Sequence, residues 1–282
     1  MSLSPARPPE TVSARPEQPA AKPAAARIVL ITGAARRIGQ ALALGFAAAG
    51  WDVAVHFGTS RAEAEALVAQ IIASGRRAVA LQADLAREDE VARLVPDCIA
   101  ALGRPSCVVN NASRFAEDTA LDVGYEQLLR LMAINLAAPL VLARALFDAT
   151  PDAAITDETQ RGVVLNLLDQ KLFNMNPDYL SYTLSKAALQ SATVALAQAL
   201  APKVRVVGLA PGLTLPSGEQ TAAGFAAAHR TAPLGRASRP ADLVAAALYL
   251  ADASGVTGTT LVVDGGQHLV PLERDVMFLT GA

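Results

Sequence analysis

Two cysteines, one tryptophan and an aromatic share of 4% are all that this 282-residue chain has of the residues that announce a stapled or aromatic-rich scaffold. Cys98 and Cys107 are too few for a disulfide framework at this length, and neither lies in a CxxC or a histidine-rich stretch; free thiols in a reducing cytoplasm fit best. Basic residues do not outnumber acidic ones, 24 against 26, and no dense lysine-arginine run alternates with aromatics, so nucleic acid is not an expected partner. The longest apolar stretches break off well short of about 18 residues, so no membrane span is indicated. HExxH and Cys/His clusters are absent, and no metal is expected.

Hydrophobic residues make up 52% and charged residues 18%, enough for a sizeable core. Residues 1 to 26 are the exception: six prolines among Ala, Ser and mixed charges block regular structure and offer no secretory h-region, so a disordered tail is expected. A transit-like reading of that tail is weakened by Glu10 and Glu17. From Arg27 to Asp264, β-branched runs alternate with Ala/Leu-rich helical patterns. Strands are expected at 27–31, 53–56, 77–82, 107–109, 163–167, 203–208 and 260–264, with helices at 37–49, 62–74, 91–101, twice within 121–146, 179–200 and 241–250. This order predicts one α/β domain over 27–268: a single doubly wound parallel sheet, Rossmann-like, with helices on both faces. The apolar residues of the tail 269–282 would be costly in water, and predict docking on a neighbouring subunit or folding back on their own domain.

In such sheets ligands bind beyond the carboxyl ends of the strands. Gly33, His56, Asp84, Asn110, Asp169 and Pro211 each follow or end an expected strand, so six loops should converge on one rim. Tyr182 and Lys186 stand one helical turn apart. With four tyrosines and four lysines in the chain, chance gives about 0.06 pairs at this spacing. A phenol with an ordinary pKa near ~10 is a poor proton donor, and an i, i+4 ammonium would favour its anion. An exposed pair serving solubility is the alternative. Asp169, thirteen residues before Tyr182, is either a third member of the site or a salt-bridge partner of Lys171.

The turn Thr32-Gly33-Ala34-Ala35-Arg36-Arg37-Ile38-Gly39 resembles the TGxxxGxG signature of the short-chain dehydrogenase/reductase family, with Arg37 in the middle glycine's place. Together with Asn110-Asn111-Ala112, Asn135, Tyr182/Lys186, Pro211-Gly212 and Asp264-Gly265-Gly266, the likeness spans Arg27 to Gly266. It implies a single doubly wound domain, usually a homotetramer, that binds a nicotinamide cofactor through Gly33, Arg36, Arg37, Ile38, Gly39, Asp84, Leu85, Asn110, Ala112, Pro211 and Gly212. Tyr182 would exchange a proton, Lys186 would hold the nicotinamide ribose, and Asn135 would support a water-linked proton path. The second strand ends without a carboxylate, in His56-Phe57-Gly58-Thr59-Ser60-Arg61, so Arg37, Thr59 and Ser60, with His56, are expected to surround a 2′-phosphate, favouring NADPH. His56 as an ordinary strand-end residue, and Asp84 as a cap of the next helix, are the plainer alternatives.

The family's catalytic serine is here Asp169. An ionised carboxylate repels a carbonyl oxygen that is gaining charge and stabilises an N–H group instead. This exchange, the arginine in the glycine turn and the Asn111-Ala112-Ser113-Arg114-Phe115 segment are similar to pteridine reductases and dihydromonapterin reductases. That likeness implies Ser113, Phe115, Asp169 and Tyr182 as substrate contacts, with Phe115 stacking the substrate ring; without it, Phe115 is a core or lid aromatic. The expected activity is NADPH-dependent reduction of a pterin-like small molecule. Carbonyl reduction of 3-oxoacyl, sugar or polyol substrates is the second reading. A non-catalytic NADP(H)-binding scaffold is the third, and sits poorly with Asn135, Tyr182 and Lys186 together. The stretch 213–231 is expected to be a mobile loop over the substrate.

Overall fold

Parallel strands buried on both faces need continuous apolar runs rather than alternation, and the central runs of this chain are of that kind. The computed structural model describes residues 27–216 and 221–279; the expected disordered tail, 1–26, lies outside them. Seven parallel strands, β1 (Ile28–Ile31), β2 (Asp52–Phe57), β3 (Ala78–Gln82), β4 (Cys107–Asn110), β5 (Gly162–Leu167), β6 (Val204–Pro211) and β7 (Thr260–Val263), form one sheet in the order β3-β2-β1-β4-β5-β6-β7. Helices α1 (Arg37–Ala48), α2 (Arg61–Ala73) and α8 (Pro240–Asp252) cover one face around Phe46, Leu67 and Leu250. On the other face lie α3 (Glu88–Ala101), α5 (Ala138–Ala149) and α6 (Leu180–Ala199), around Leu94, Leu142 and Leu146. Strand order reverses between β1 and β4, which opens a crevice at their carboxyl ends. The single doubly wound parallel sheet expected from the sequence is the one observed.

Two elements depart from the sequence expectation. The segment 213–231 is not all loop: α7 (Ala222–Arg230) forms there, opened by Thr221, whose side chain accepts from the Gly224 N–H. The helical patterns within 121–146 join into one rod, α4 (Tyr125–Met132), a π turn (Ala133–Ala137) and α5. This rod of 25 residues, in which one 18-residue window has mean hydropathy 1.6, is long and apolar enough to cross a membrane, although its apolar runs look too short when read separately. Part of its apolar surface is taken up by the core: 33% of that window is buried, with Leu142, Ala143 and Leu146 fully enclosed in the second core cluster.

After Leu269 the chain folds back on its own domain. Arg274 and the Asp275 N–H both bind the Asp178 carboxylate, the latter at 2.7 Å, and Phe278 in α9 (Val276–Leu279) stacks on Tyr179 at 5.8 Å.

His56, near the end of β2, ties three strands together. Its Nδ1 accepts the Gly33 N–H at 3.0 Å, and its Nε2 donates to the Ala83 carbonyl at 3.1 Å. Burial lowers its pKa to about 4. The unfolded chain therefore takes up this proton first as pH falls, so the contribution is whole above about 6.5 and is lost on the way down to about 4. About 3 kcal/mol of stability should disappear across that window. Urea unfolding at pH 7 and pH 4.5 should show this loss in the wild type and little of it in His56→Gln; an equal loss in both proteins would refute the assignment.

Candidate active site

The crevice begins with a weld between β1 and β4. Thr32 Oγ1 accepts the N–H groups of Asn111 and Ala112, each at 3.0 Å, while Asn111 Nδ2 donates to the carbonyls of Thr32 and Gly33. Gly33 has φ +60° and lies so close to Ala112 that a side chain would meet it; a Cβ on Gly39 would strike the Gly33 carbonyl. Close approach of backbone is thus built into the turn, and the first N–H groups of α1 face the crevice with no acid in the first turn to occupy them. Arg37 adopts φ +56°, a left-handed conformation that costs a non-glycine residue roughly 1 kcal/mol. Strain of this kind persists where a side chain is needed in one place.

That place corrects an expectation. Arg37 donates to the Pro216 carbonyl at 2.9 Å and lines the inner cavity with Asp169 and Tyr182, away from Thr59 and Ser60. Arg36, not Arg37, shares the outer cavity of about 630 Å³ with Gly33, His56, Thr59, Ser60, Asp84, Leu85 and Ala112. His56 borders that cavity, yet both ring nitrogens are committed within the protein, so no N–H is left for a phosphate. Asp84 does not cap α3, whose N-cap is Arg87; it accepts the Ala86 N–H at 3.0 Å and stays exposed at the cavity edge. Asn110 lines neither cavity. Its amide donates to Asn166 Oδ1 at 2.8 Å, and Asn166 in turn donates to Thr193, a buried ladder between β4, β5 and α6.

The inner cavity, about 450 Å³, gathers Arg37, Ile38, Phe115, Asp169, Tyr182, Lys186, Pro211 and Gly212. Tyr182 donates its phenolic proton to Asp169 Oδ2 at 2.7 Å. Asp169 Oδ1 accepts the Lys171 backbone N–H at 2.8 Å, but the Lys171 ammonium turns away, to the Asp178 carbonyl at 2.6 Å and Asp275 at 3.4 Å. The Asp169–Lys171 ion pair is therefore not formed. Desolvation raises the Asp169 pKa, opposed by the Lys171 N–H, the phenol and the charge of Lys186. Desolvation and then the Asp169 carboxylate push Tyr182 well above the ordinary phenol range. Lys186 falls to about 8, because burial outweighs its attraction to Asp169. Its Nζ donates to the Leu167 carbonyl at 2.7 Å and lies 5.8 Å from the Tyr182 ring centroid. The expectation that Lys186 acidifies the phenol fails in this state: the carboxylate is the nearer charge and acts the other way.

Asn135, in the π turn, is a brace. Its Oδ1 accepts from the Arg114 N–H and Ser113 Oγ, and its Nδ2 donates to the Arg114 carbonyl and Ser185 Oγ. Those four bonds use the whole amide, which leaves the expected water-linked path no free side-chain atom. Ser113 borders the outer cavity rather than the substrate side, whereas Phe115 stands at the inner rim, 48% exposed, stacked on Tyr179 at 4.2 Å and edge-on to Tyr182 at 4.8 Å. Sequence reasoning missed Asn111, Ser185, Gln267 and Asp275. Asn111 had a signal in the Asn-Asn pair; Gln267, which accepts the Leu213 N–H at 2.9 Å, and Asp275 had none.

A family model described as enoyl-(acyl carrier protein) reductase matches residues 33–268. An uncharacterized oxidoreductase of Mycobacterium tuberculosis is 36% identical over 85% of this chain and 91% of its own length. A 3-oxoacyl-[acyl-carrier-protein] reductase of Synechocystis is 30% identical over 86% of this chain and 96% of its own. The crystal structure of FolM alternative dihydrofolate reductase 1 from Brucella canis, complexed with NADP, superposes with a TM-score of 0.82 at 39% identity, over 88% of this chain and 96% of that one. With the sheet order, the glycine turn and the Tyr182/Lys186 pair already in place, these likenesses make the chain a member of the short-chain dehydrogenase/reductase family of oxidoreductases.

Proposed function

We propose that this protein is an NADPH-dependent reductase of pterin-like nitrogen heterocycles, of the dihydropterin or dihydrofolate type. The observation that carries the reading is the 2.7 Å hydrogen bond from Tyr182 to Asp169, a carboxylate where the family has a serine. The NADP complex of the Brucella relative, whose name is that of a dihydrofolate reductase, supports both halves of the proposal. So does the fit of the chain to the cofactor. The turn at Gly33 and Gly39 admits a pyrophosphate against α1, and the outer cavity offers Arg36, Thr59 and Ser60 to a 2′-phosphate with no acid at the end of β2 to repel it.

When bound, the dihydronicotinamide supplies the hydride. The rest falls to the chain. Tyr182, which keeps its proton at neutral pH, donates it to the ring nitrogen beside the hydride-accepting carbon. Asp169 accepts an N–H of the substrate and orients it. Once the phenol has given up its proton, Asp169, whose hold on a proton is raised by burial, takes one from solvent and passes it to the phenolate across the 2.7 Å contact, which restores the carboxylate. Lys186 balances the negative charge left on the pair. A ketone would instead build negative charge against the Asp169 carboxylate, so the same geometry disfavours it. Carbonyl reduction remains the second reading, favoured by the name of the Synechocystis relative. The exposed Leu129, Leu184 and Val194 of α4 and α6 support a family-type homotetramer as part of the same proposal.

NADPH consumption should be faster with dihydropterins or dihydrofolate than with acetoacetyl-type ketones, and Asp169→Ser should lower pterin turnover by about 10²-fold. Faster ketone than pterin reduction by the wild type would hand the assignment to the carbonyl reading. In the pH profile, kcat/KM should fall above about pH 8 as Lys186 loses its charge. The residual activity of Lys186→Arg should lack that alkaline limb, and a limb of unchanged position would assign it to another group.

A further inference from the structure

The C-terminal segment enters the cavity that the Tyr182–Asp169 pair occupies, and no motif accounts for it. Asp275 and Val276 line this cavity, and the Asp275 side chain is 18% exposed there. It is held from three directions. Its N–H donates to Asp178 Oδ2 at 2.7 Å, its preceding residue Arg274 binds the same carboxylate at 2.8 Å, and the buried Lys171 ammonium lies 3.4 Å from Asp275 Oδ2. Lys171 also fixes Asp169 through its backbone N–H. One lysine thus sets two acids of the cavity, one at its amide and one at its ammonium, spaced by the length of its own side chain.

We propose that Asp275 is a specificity-determining residue: its carboxylate accepts an N–H from a second edge of the substrate while Asp169 serves the reacting edge. The ligand class this selects is a flat heterocycle carrying N–H donors at two separated edges, such as an amino-amidine ring fused to a reducible one. A carboxylate has about four acceptor positions, so one already engaged in an ion pair can still take a ligand N–H. A neutral or cationic N–H edge facing Asp275 gains a charge-assisted bond, whereas a carbonyl or carboxylate edge is repelled. Behind desolvation, and at Tyr182 also behind the Asp169 carboxylate, the Asp275 charge makes a smaller contribution to the raised pKa values of Asp169 and Tyr182, so it acts on the same site. The proposal rests on the pterin-like reading and narrows it.

The test uses the NADP⁺-saturated enzyme, titrated calorimetrically with 2,4-diaminopteridine, together with kcat/KM for a dihydropterin and an acetoacetyl ketone. Asp275→Asn should weaken diaminopteridine at least tenfold and lower the pterin-to-ketone ratio of kcat/KM by a similar factor. Asp275→Glu, which keeps the charge beside Lys171 but displaces the acceptor, should weaken it at least threefold and less than Asn does; it decides the matter if the Asn variant does not fold. Affinity within twofold of wild type in a folded variant overturns the proposal, and so does an equal fall for both substrates, which marks a collapsed wall. A wild type that neither binds diaminopteridine nor reduces a pterin overturns the proposed function itself, whereas a wild type that does both while the variants match it overturns this inference alone.

Discussion

A phenol and a carboxylate share one proton in a buried pocket, and much of the site is arranged around that bond. Left alone, Asp169 would be a desolvated charge and Tyr182 a desolvated hydroxyl, each costly to bury. Joined, they satisfy one another. The remaining oxygen of Asp169 takes a backbone N–H, and Lys186 supplies the compensating charge from the far side while anchored on the Leu167 carbonyl. The sheet positions the pair: β5 delivers Asp169 just past its last residue, and α6 presents Tyr182 and Lys186 on one face.

The architecture was plain in the sequence because its signal is redundant. Seven β-branched runs alternating with Ala/Leu helices admit one economical arrangement, and an error of a few residues at a strand end, as at β6, leaves topology untouched. Asp169, Tyr182 and Lys186 were legible for a related reason. Their spacing along a strand exit and a helix face fixes their relative placement, and the fold brings the three together in one cavity.

Residues whose role depends on which way a side chain leaves the backbone were harder to read. Arg36 and Arg37 are neighbours, yet the left-handed backbone at Arg37 sends them into different cavities, and no composition rule assigns that conformation to an arginine. Asn110 and Asn111 divide in the same way, one into the interior ladder and one toward the glycine turn, as successive residues leaving a strand must. His56 carried the chemistry of a phosphate ligand, but the nearby Gly33 N–H and Ala83 carbonyl claimed both nitrogens. Asp275 reaches the cavity only because a tail with little sequence signal turns back across some hundred residues to meet Asp178.

The π turn at Ala133–Ala137 has a geometric corollary. A wide turn carries one residue more than an ordinary one, which offsets the helix surface on its two sides by about 100°. The rod can therefore aim two different stripes: α4 packs on α6, while α5 packs on α3 and the sheet. Asn135 sits at the swivel, where its amide grips the Arg114 backbone on both sides. Removing that one residue's worth of slack would let the rod face either its neighbour helix or the sheet, but not both, and would turn the gripping amide away from the strand exit it now steadies.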